Sequence, residues 1–218
     1  MKQHYLYLLL TFFFVNCTNE RVLLLPEIDN AEVTEVLDVS PAYIFYDESK
    51  PDSTLLNRKN LISTTNWLVN VDKRLSLRQV IPHIKFLQDK KRNAQMHKNE
   101  NAKNYFTCND TSMSNLGFIE FTDVYFFTEK SDSNKSENIC YMTINNLNDI
   151  SFSTSLDLNI SLSRENFENA MVTIQKEYGG TIKIVYLLNS DMSFQNYITL
   201  KNTLLPFKDR ISNNEFIY

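Results

Sequence analysis

The stretch LDLNISLSRENFENAMVTIQKEYGGTIKIVYLLNSDMSFQNYITLKNTLLPFKDRISNNEFIY, residues 156–218, decides the fold class of this 218-residue chain. Apolar and polar residues alternate over 156–162, which is the period of two expected for a strand with one buried face. Residues 163–178 then carry apolar side chains at helical spacing, begin at a serine suited to cap a helix, and end before Gly179–Gly180. The pattern therefore predicts a strand followed by a helix.

The rest of this stretch continues the alternation of strands and helices. Residues 181–188 are almost continuously apolar, as in a strand that is covered on both faces. Residues 193–205 have helical periodicity and stop before Pro206, and residues 215–218 predict a last strand. Because crossovers between strands of one sheet are right-handed, at least two strands of this C-terminal β-α-β-α-β unit are expected to pair in parallel.

Patterns in the first two thirds of the chain predict more elements of both kinds. Residues 67–71 predict a strand, and residues 76–92 predict a helix with a capping box from Ser76 to Gln79 and a kink at Pro82. Further strands are predicted at 32–39, at 42–46 and, as one long central strand, at 116–127. The predicted fold is α+β, a mixed sheet with about three packed helices.

The segment 67–87 has the same predicted strand–helix order as the C-terminal unit. Its spacing alone does not establish an internal repeat, so the sequence predicts one domain.

The composition excludes several functional classes. Lys and Arg total 22 against 26 Asp and Glu, a net charge of -4, so the chain lacks the basic footprint of a nucleic-acid-binding protein. The 3 glycines are too few and too scattered to build a phosphate loop, a dinucleotide-binding loop or a nucleophile elbow. We therefore expect no nucleic-acid partner and no cofactor.

The N-terminus has the pattern of a secretory signal. An apolar run at 5–15 follows Lys2 and would reach about 16 Å as a helix, roughly half the hydrocarbon thickness of a bilayer. The next residues, Phe14-Val15-Asn16-Cys17, resemble a bacterial lipoprotein box of the looser kind found in Bacteroidetes lipoproteins. The resemblance implies cleavage before Cys17 and membrane attachment through lipid on that cysteine.

This resemblance divides the chain into a signal peptide at 1–16, a lipidated tether at 17–31 and a single α+β domain at 32–218. The polar segment 129–138 is the alternative place for a subdivision. Thr18-Asn19-Glu20 lacks both the aspartate that retains proteobacterial lipoproteins at the inner membrane and the acidic run linked to surface export. The resemblance therefore implies a cell-envelope protein on the periplasmic face of the outer membrane.

The order of elements over 156–218, with Asp191 before the last helix, resembles the periplasmic domain of the ExbD/TolR biopolymer-transport family. The N-terminal apolar run is too short for that family's spanning helix and holds no membrane aspartate. The resemblance therefore implies an envelope module that binds a partner or the cell wall, without proton coupling.

A basic segment ends the predicted 76–92 helix. Lys90, Lys91, Arg92 and Lys98 form a candidate patch for docking an envelope protein or peptidoglycan. The alternative is structural, because cations are favourable near the negative end of a helix dipole.

Catalytic candidates are few. Once the signal peptide is removed, His83 and His97 are the remaining histidines, and no spacing of metal ligands accompanies them. Cys108 and Cys140 are an even pair that could form a disulfide in an oxidising compartment, and two buried free thiols are the alternative. We therefore expect no catalytic or metal site.

Three functions fit these features. The first is a non-enzymatic binding or adaptor lipoprotein, the second is an anchored hydrolase with an unrecognised carboxylate site, and the third is a carrier for a small apolar ligand. An apolar pocket between helices and sheet would favour the carrier.

Overall fold

The computed structural model shows an α+β fold with two six-stranded sheets. The structure describes residues 21–94, 99–128, 139–154, 159–162, 169, 172–174, 176 and 183–218. Within these ranges no helix is long and apolar enough to cross a membrane. The predicted fold class is confirmed, and the strands form two sheets where the sequence predicted one.

The first sheet contains β1 (Glu27–Ile28), β2 (Val39–Tyr46), β3 (Thr54–Asn57), β4 (Asn66–Val71), β5 (Asn104–Asp110) and β6 (Asn115–Glu120). β2, β4 and β5 are parallel neighbours, and β3 forms an antiparallel hairpin with β2. β6 runs antiparallel along β5, and β1 pairs in parallel with the last two residues of β5.

The second sheet contains β7 (Tyr125–Phe127), β8 (Ile139–Asn146), β9 (Asp149–Thr154), β10 (Asn159–Leu162), β11 (Lys183–Leu188) and β12 (Ile211–Ile217). Its order is β10-β9-β8-β11-β12-β7. β8, β11, β12 and β7 are parallel neighbours, whereas β9 and β10 pair in antiparallel orientation. The predicted parallel pairing of C-terminal strands is confirmed by β11 and β12.

Two helices connect parallel strands, α1 (Leu77–Arg92) between β4 and β5 and α2 (Phe194–Leu204) between β11 and β12. A 3₁₀ helix (Leu205–Arg210) follows α2. The predicted capping box is present, since the backbone N–H of Ser76 donates to Gln79 Oε1 at 2.9 Å. α1 continues through Pro82, and α2 begins at Ser193, whose Oγ accepts from the backbone N–H of Asn196 at 3.2 Å.

Two strand predictions were wrong. The single strand predicted at 116–127 is two strands, β6 and β7, which belong to different sheets. A turn separates them, because Val124 N donates to Phe121 O at 3.2 Å. Of the strand predicted at 32–39, Val33 forms an isolated bridge with Phe118, and only Val39, the first residue of β2, lies in a strand.

Parts of the C-terminal prediction lie outside the described residues. Of the strand predicted at 156–162, the structure describes β10, and of the helix predicted at 163–178 it describes positions 169, 172–174 and 176, which are helical. The proposed subdivision at 129–138 also lies outside the described residues.

The two sheets contain the same four-strand arrangement. The first has the order β3-β2-β4-β5 and the second the order β9-β8-β11-β12. In each, the first strand of a hairpin is also the first of three parallel strands, and a helix joins the other two parallel strands. The chain is therefore an internal repeat of one β-hairpin and βαβ unit, and we call the two copies the first and second repeats.

The repeats meet where their helices begin. Four backbone hydrogen bonds cross this seam in reciprocal pairs, and the two residues that play the same role are always 117 positions apart. These bonds run from Leu77 N to Met192 O at 2.9 Å, from Phe194 N to Leu75 O at 2.6 Å, from Arg78 N to Ser190 O at 2.9 Å and from Gln195 N to Lys73 O at 3.2 Å. We call residues 73–78 and 190–195 the seam.

Aromatic side chains fill the core beside the seam. Phe106 of β5 stacks on Phe121 with ring centroids 3.8 Å apart, and it meets Phe194 and Tyr197 of α2 edge to face. All four side chains are buried. The second helix therefore packs against the first sheet as well as its own, and the repeats share one core.

The segment before β2 packs onto this fold and is not a free tether. Ile28 is only 4% exposed and belongs to the shared core. Asn109 N donates to Pro26 O at 2.8 Å. The predicted tether–domain boundary at 31–32 therefore falls inside the folded unit, and we call residues 22–33 the strap.

The strap contacts both repeats. In the first repeat, Asp72 Oδ2 accepts from Leu24 N at 3.3 Å. In the second, the Gln195 side chain accepts from Glu27 N at 2.8 Å and donates to Glu27 O at 2.9 Å. The strap therefore adds a second connection across the seam.

Asp110, at the end of β5, fixes the other end of the strap. Its carboxylate accepts from Ala31 N at 2.7 Å, from Ser112 Oγ at 2.6 Å and from Ser112 N at 3.0 Å. These hydrogen bonds, with that from the Ser112 side chain the largest contribution, lower the pKa of Asp110 to about 2.

Acid should therefore weaken the fold through Asp110. The folded-state pKa lies below the ordinary value of 3.8, so the carboxylate stabilises the folded state above about pH 4, and this stabilisation is lost as the pH falls towards about 2. Urea unfolding of the full chain over that range should show a steeper loss of unfolding free energy for wild type than for Asp110→Asn. Parallel pH dependences for the two proteins would contradict this assignment.

Candidate functional site

The structure places one residue of the predicted basic patch in the interior. Lys91 is 7% exposed, and its ammonium donates to Thr65 O at 3.2 Å, Lys103 O at 2.8 Å and Asn104 Oδ1 at 3.0 Å. Burial lowers its pKa to about 8. Lys91 therefore ties α1 to the first sheet and is not a surface cation.

The other residues of the predicted patch differ in their surroundings. The Arg92 guanidinium donates to Thr122 O at 3.0 Å and to Val124 O at 3.1 Å, and it lies 4.2 Å from the ring centre of Tyr125. Lys90 is exposed, and Lys98 lies outside the described residues. Lys91 and Arg92 therefore anchor α1 to neighbouring segments, a role that differs from both the docking patch and the solvated helix end that the sequence suggested.

Of the candidate reactive residues, the structure describes Cys108, Cys140 and His83. Cys108 and Cys140 are both free and buried, and burial raises the pKa of both thiols, that of Cys140 to about 11. His83 is half-buried, with Nε2 3.0 Å from Thr54 Oγ1, and burial lowers its pKa. His97 lies outside the described residues. Among the described side chains, no three His, Cys, Asp or Glu residues are grouped to hold a metal.

A cavity of about 330 Å³ lies between the two repeats. The first repeat contributes Phe118 and Ile119 of β6, and the second contributes Tyr186 of β11, Leu204 of α2 and Ile211 of β12. Most of this lining is apolar. The volume is at the lower end of the range for small-molecule sites.

The strap forms one wall of the cavity. Ile28, Ala31 and Val33 face it from the strap. Gly117 in β6 permits this approach, because a side-chain carbon at that position would lie 2.5 Å from Ala31 Cβ and 2.9 Å from Ile28 Cδ1. The missing side chain in β6 therefore lets the strap lie directly on the sheet.

A buried charged group lies beside the cavity. Glu215 of β12 is 0% exposed and faces Tyr186 on one neighbouring strand and Phe126 on the other. Its Oε1 accepts from Lys201 Nζ at 2.6 Å, and its Oε2 accepts from the Tyr197 hydroxyl at 2.9 Å. Both donors belong to α2, so the carboxylate fixes this helix against its sheet.

Tyr186 connects this charged group to the cavity. Its side chain lines the cavity, and its buried hydroxyl has no hydrogen-bond partner among the described residues. Lys201 Nζ lies 5.5 Å from the centre of the Tyr186 ring. Burial, and then the charge of Glu215, raise the pKa of Tyr186 well above its ordinary value, so the hydroxyl stays a donor at neutral pH.

Each glutamate at the cavity is paired with a lysine. Besides Glu215, Glu32 lies 3.4 Å from Lys208, and Glu120 lies 2.8 Å from Lys103. The charged groups around the cavity are therefore already paired with one another.

No protein-family model matches the chain, and no match was found among curated proteins or solved structures. The resemblances to bacterial lipoproteins and to the ExbD/TolR family stay predictions.

No sequence pattern marks the residues at and beside the cavity as a site. Glu215 was assigned only to a terminal strand, and Tyr186 was one residue of an apolar run. One signal was present, since Tyr197 and Lys201 are four residues apart and share a helix face. Their partner on β12 depends on tertiary packing.

The Lys201–Glu215 pair should be strongly coupled. Lys201→Met leaves Glu215 buried with one hydrogen-bond donor, so the free energy of unfolding should fall by about 3 kcal/mol or more. Lys201→Met/Glu215→Gln should lose less than the sum of the single variants, because it leaves no unpaired buried charge. Urea unfolding at pH 7 measures all three.

Lys208→Met is the matched control for this cycle. Its partner Glu32 and Lys208 itself are both more than half exposed, so the change should cost less than about 1 kcal/mol. Additive effects of the Lys201 and Glu215 substitutions would show that the pair does not act as a unit.

Proposed function

We propose that this protein is a lipid-anchored, non-enzymatic binding protein of the bacterial cell envelope that carries a small apolar ligand between its two repeats. The observation that supports this proposal is the apolar cavity of about 330 Å³, one wall of which is the strap that follows Cys17 in the chain.

The proposed anchor places the fold next to a membrane. The strap begins five positions after Cys17, and a fully extended chain over five positions reaches about 18 Å. Multiple acyl chains on one cysteine would hold the protein there more firmly than a single chain. The residues after Cys17 support the periplasmic face of the outer membrane as the location.

An adaptor that docks an envelope protein or peptidoglycan through the basic end of α1 is the other candidate. Lys91 and Arg92 donate hydrogen bonds to backbone carbonyls. Lys90 is therefore the exposed member of the patch within the described residues. The cavity therefore supports the carrier more directly.

The anchor is tested by palmitate labelling of cells that express the full chain. Wild type should carry the label and fractionate with membranes, whereas Cys17→Ala should be unlabelled and keep its signal peptide. Cys140→Ser is the matched control, because it also removes one cysteine but should keep the label. Label on Cys17→Ala would refute the proposed anchor.

The carrier is tested by methyl NMR of the full chain in a non-ionic detergent. Ile28, Ile119 and Ile211 line the cavity, whereas Ile81 and Ile84 lie in α1. The apolar probe α-methylstyrene should shift the methyl signals of the first three and leave the other two unchanged. Shifts of all five, or of none, would contradict binding in the cavity.

Leu205→Trp is the blocking variant for this assay, because Leu205 lines the cavity and tryptophan is much larger. It should abolish the shifts. Leu37→Trp, at a position that is 72% exposed, should leave them as in wild type.

A further inference from the structure

The charges around the cavity favour a neutral ligand. Lys201, Lys208 and Lys103 are each paired with a glutamate, so the three pairs at the cavity add up to no net charge. A charged ligand group would lose hydration on entering the cavity and would meet no unpaired opposite charge among these residues. The cavity therefore selects against carboxylates, phosphates and amines.

One end of the cavity offers hydrogen-bond donors. The Tyr186 hydroxyl is buried without a partner in the described part of the chain. The Lys201 ammonium has three donors, of which Glu215 takes one. A buried polar group that stays unpaired carries a free-energy cost, and a bound molecule that pairs it removes this cost.

The same end offers no carboxylate oxygen to a ligand. Glu215 is 0% exposed, and its two oxygens already accept from Lys201 and Tyr197. A ligand group that meets Tyr186 must therefore accept a hydrogen bond. The opposite wall contains Phe118, Ile119 and the apolar strap residues, together with Glu32 and Glu120, which are paired with lysines.

We propose that the cavity binds a neutral, mainly apolar molecule through one carbonyl oxygen, which accepts a hydrogen bond from the Tyr186 hydroxyl. This inference rests on the proposed carrier function and adds the chemical class of the ligand. The apolar body of the molecule lies against Phe118 and the strap, and its carbonyl points to β11.

Two probes of nearly equal shape test the carbonyl. Acetophenone carries C=O where α-methylstyrene carries C=CH₂, so the two differ mainly in the acceptor. Titrations followed at the methyl signals of Ile28, Ile119 and Ile211 give an affinity for each probe. Wild type should bind acetophenone roughly tenfold more tightly than α-methylstyrene, since one hydrogen bond to a buried donor contributes about that factor.

Tyr186→Phe should remove this preference. The variant loses the hydroxyl and keeps the ring, and because the hydroxyl has no partner to lose, the fold should be as stable as wild type. Both probes should then bind with similar affinity. Comparing the ratio of affinities between the two proteins cancels any partition of the probes into detergent.

Tyr105→Phe is the control, because Tyr105 is also a buried tyrosine but does not line the cavity. It should keep the wild-type preference. The unchanged isoleucine spectrum of each free variant shows that it is folded.

The outcomes separate the two proposals. Equal affinities of wild type for both probes, or the same preference in Tyr186→Phe, would contradict the proposed hydrogen bond to a ligand carbonyl. Neither result would contradict the proposed carrier function. Binding of neither probe at the cavity methyl groups would overturn both. Tighter binding of benzoate than of acetophenone would overturn the neutral ligand.

Discussion

The reciprocal backbone hydrogen bonds at the seam are the constraint on which the rest of the structure depends. They join the starts of α1 and α2 so that each repeat satisfies polar groups of the other. Because α2 is held at the seam, Phe194 and Tyr197 reach Phe106 of the first sheet and close a common core. The space that remains between β6 and the end of α2 is the cavity.

Glu215 is a feature that stability alone does not explain. Removing a carboxylate and an ammonium from water costs several kcal/mol for each ion, and a well-packed apolar pair of similar volume is often equally or more stable. What the pair does is fix Lys201 and Tyr197 to β12, next to the unpaired Tyr186 hydroxyl. A binding role for this end of the cavity gives a reason for the buried charge.

Local patterns predicted the elements that depend on local physics. The starts of α1 and α2 follow from Ser76 and Ser193, because a capping side chain acts within one turn. The division of 116–127 between two sheets depends on distant partners, which periodicity does not contain. Lys91 was predictable in part, since it lies seven residues after buried Ile84 on the same helix face. The acceptors that make its burial tolerable come from distant loops.

The strap links the proposed anchor to the proposed site. A carrier held within about 18 Å of a bilayer cannot diffuse across the envelope, so its ligand must be exchanged over a short distance. A neutral, mainly apolar molecule partitions into a bilayer, and a cavity walled by the segment that follows the proposed anchor would lie on the path from that reservoir. The backbone of the strap is held to both repeats by hydrogen bonds. The strap is therefore the wall that separates the cavity from the proposed anchor, and it is fixed to both repeats.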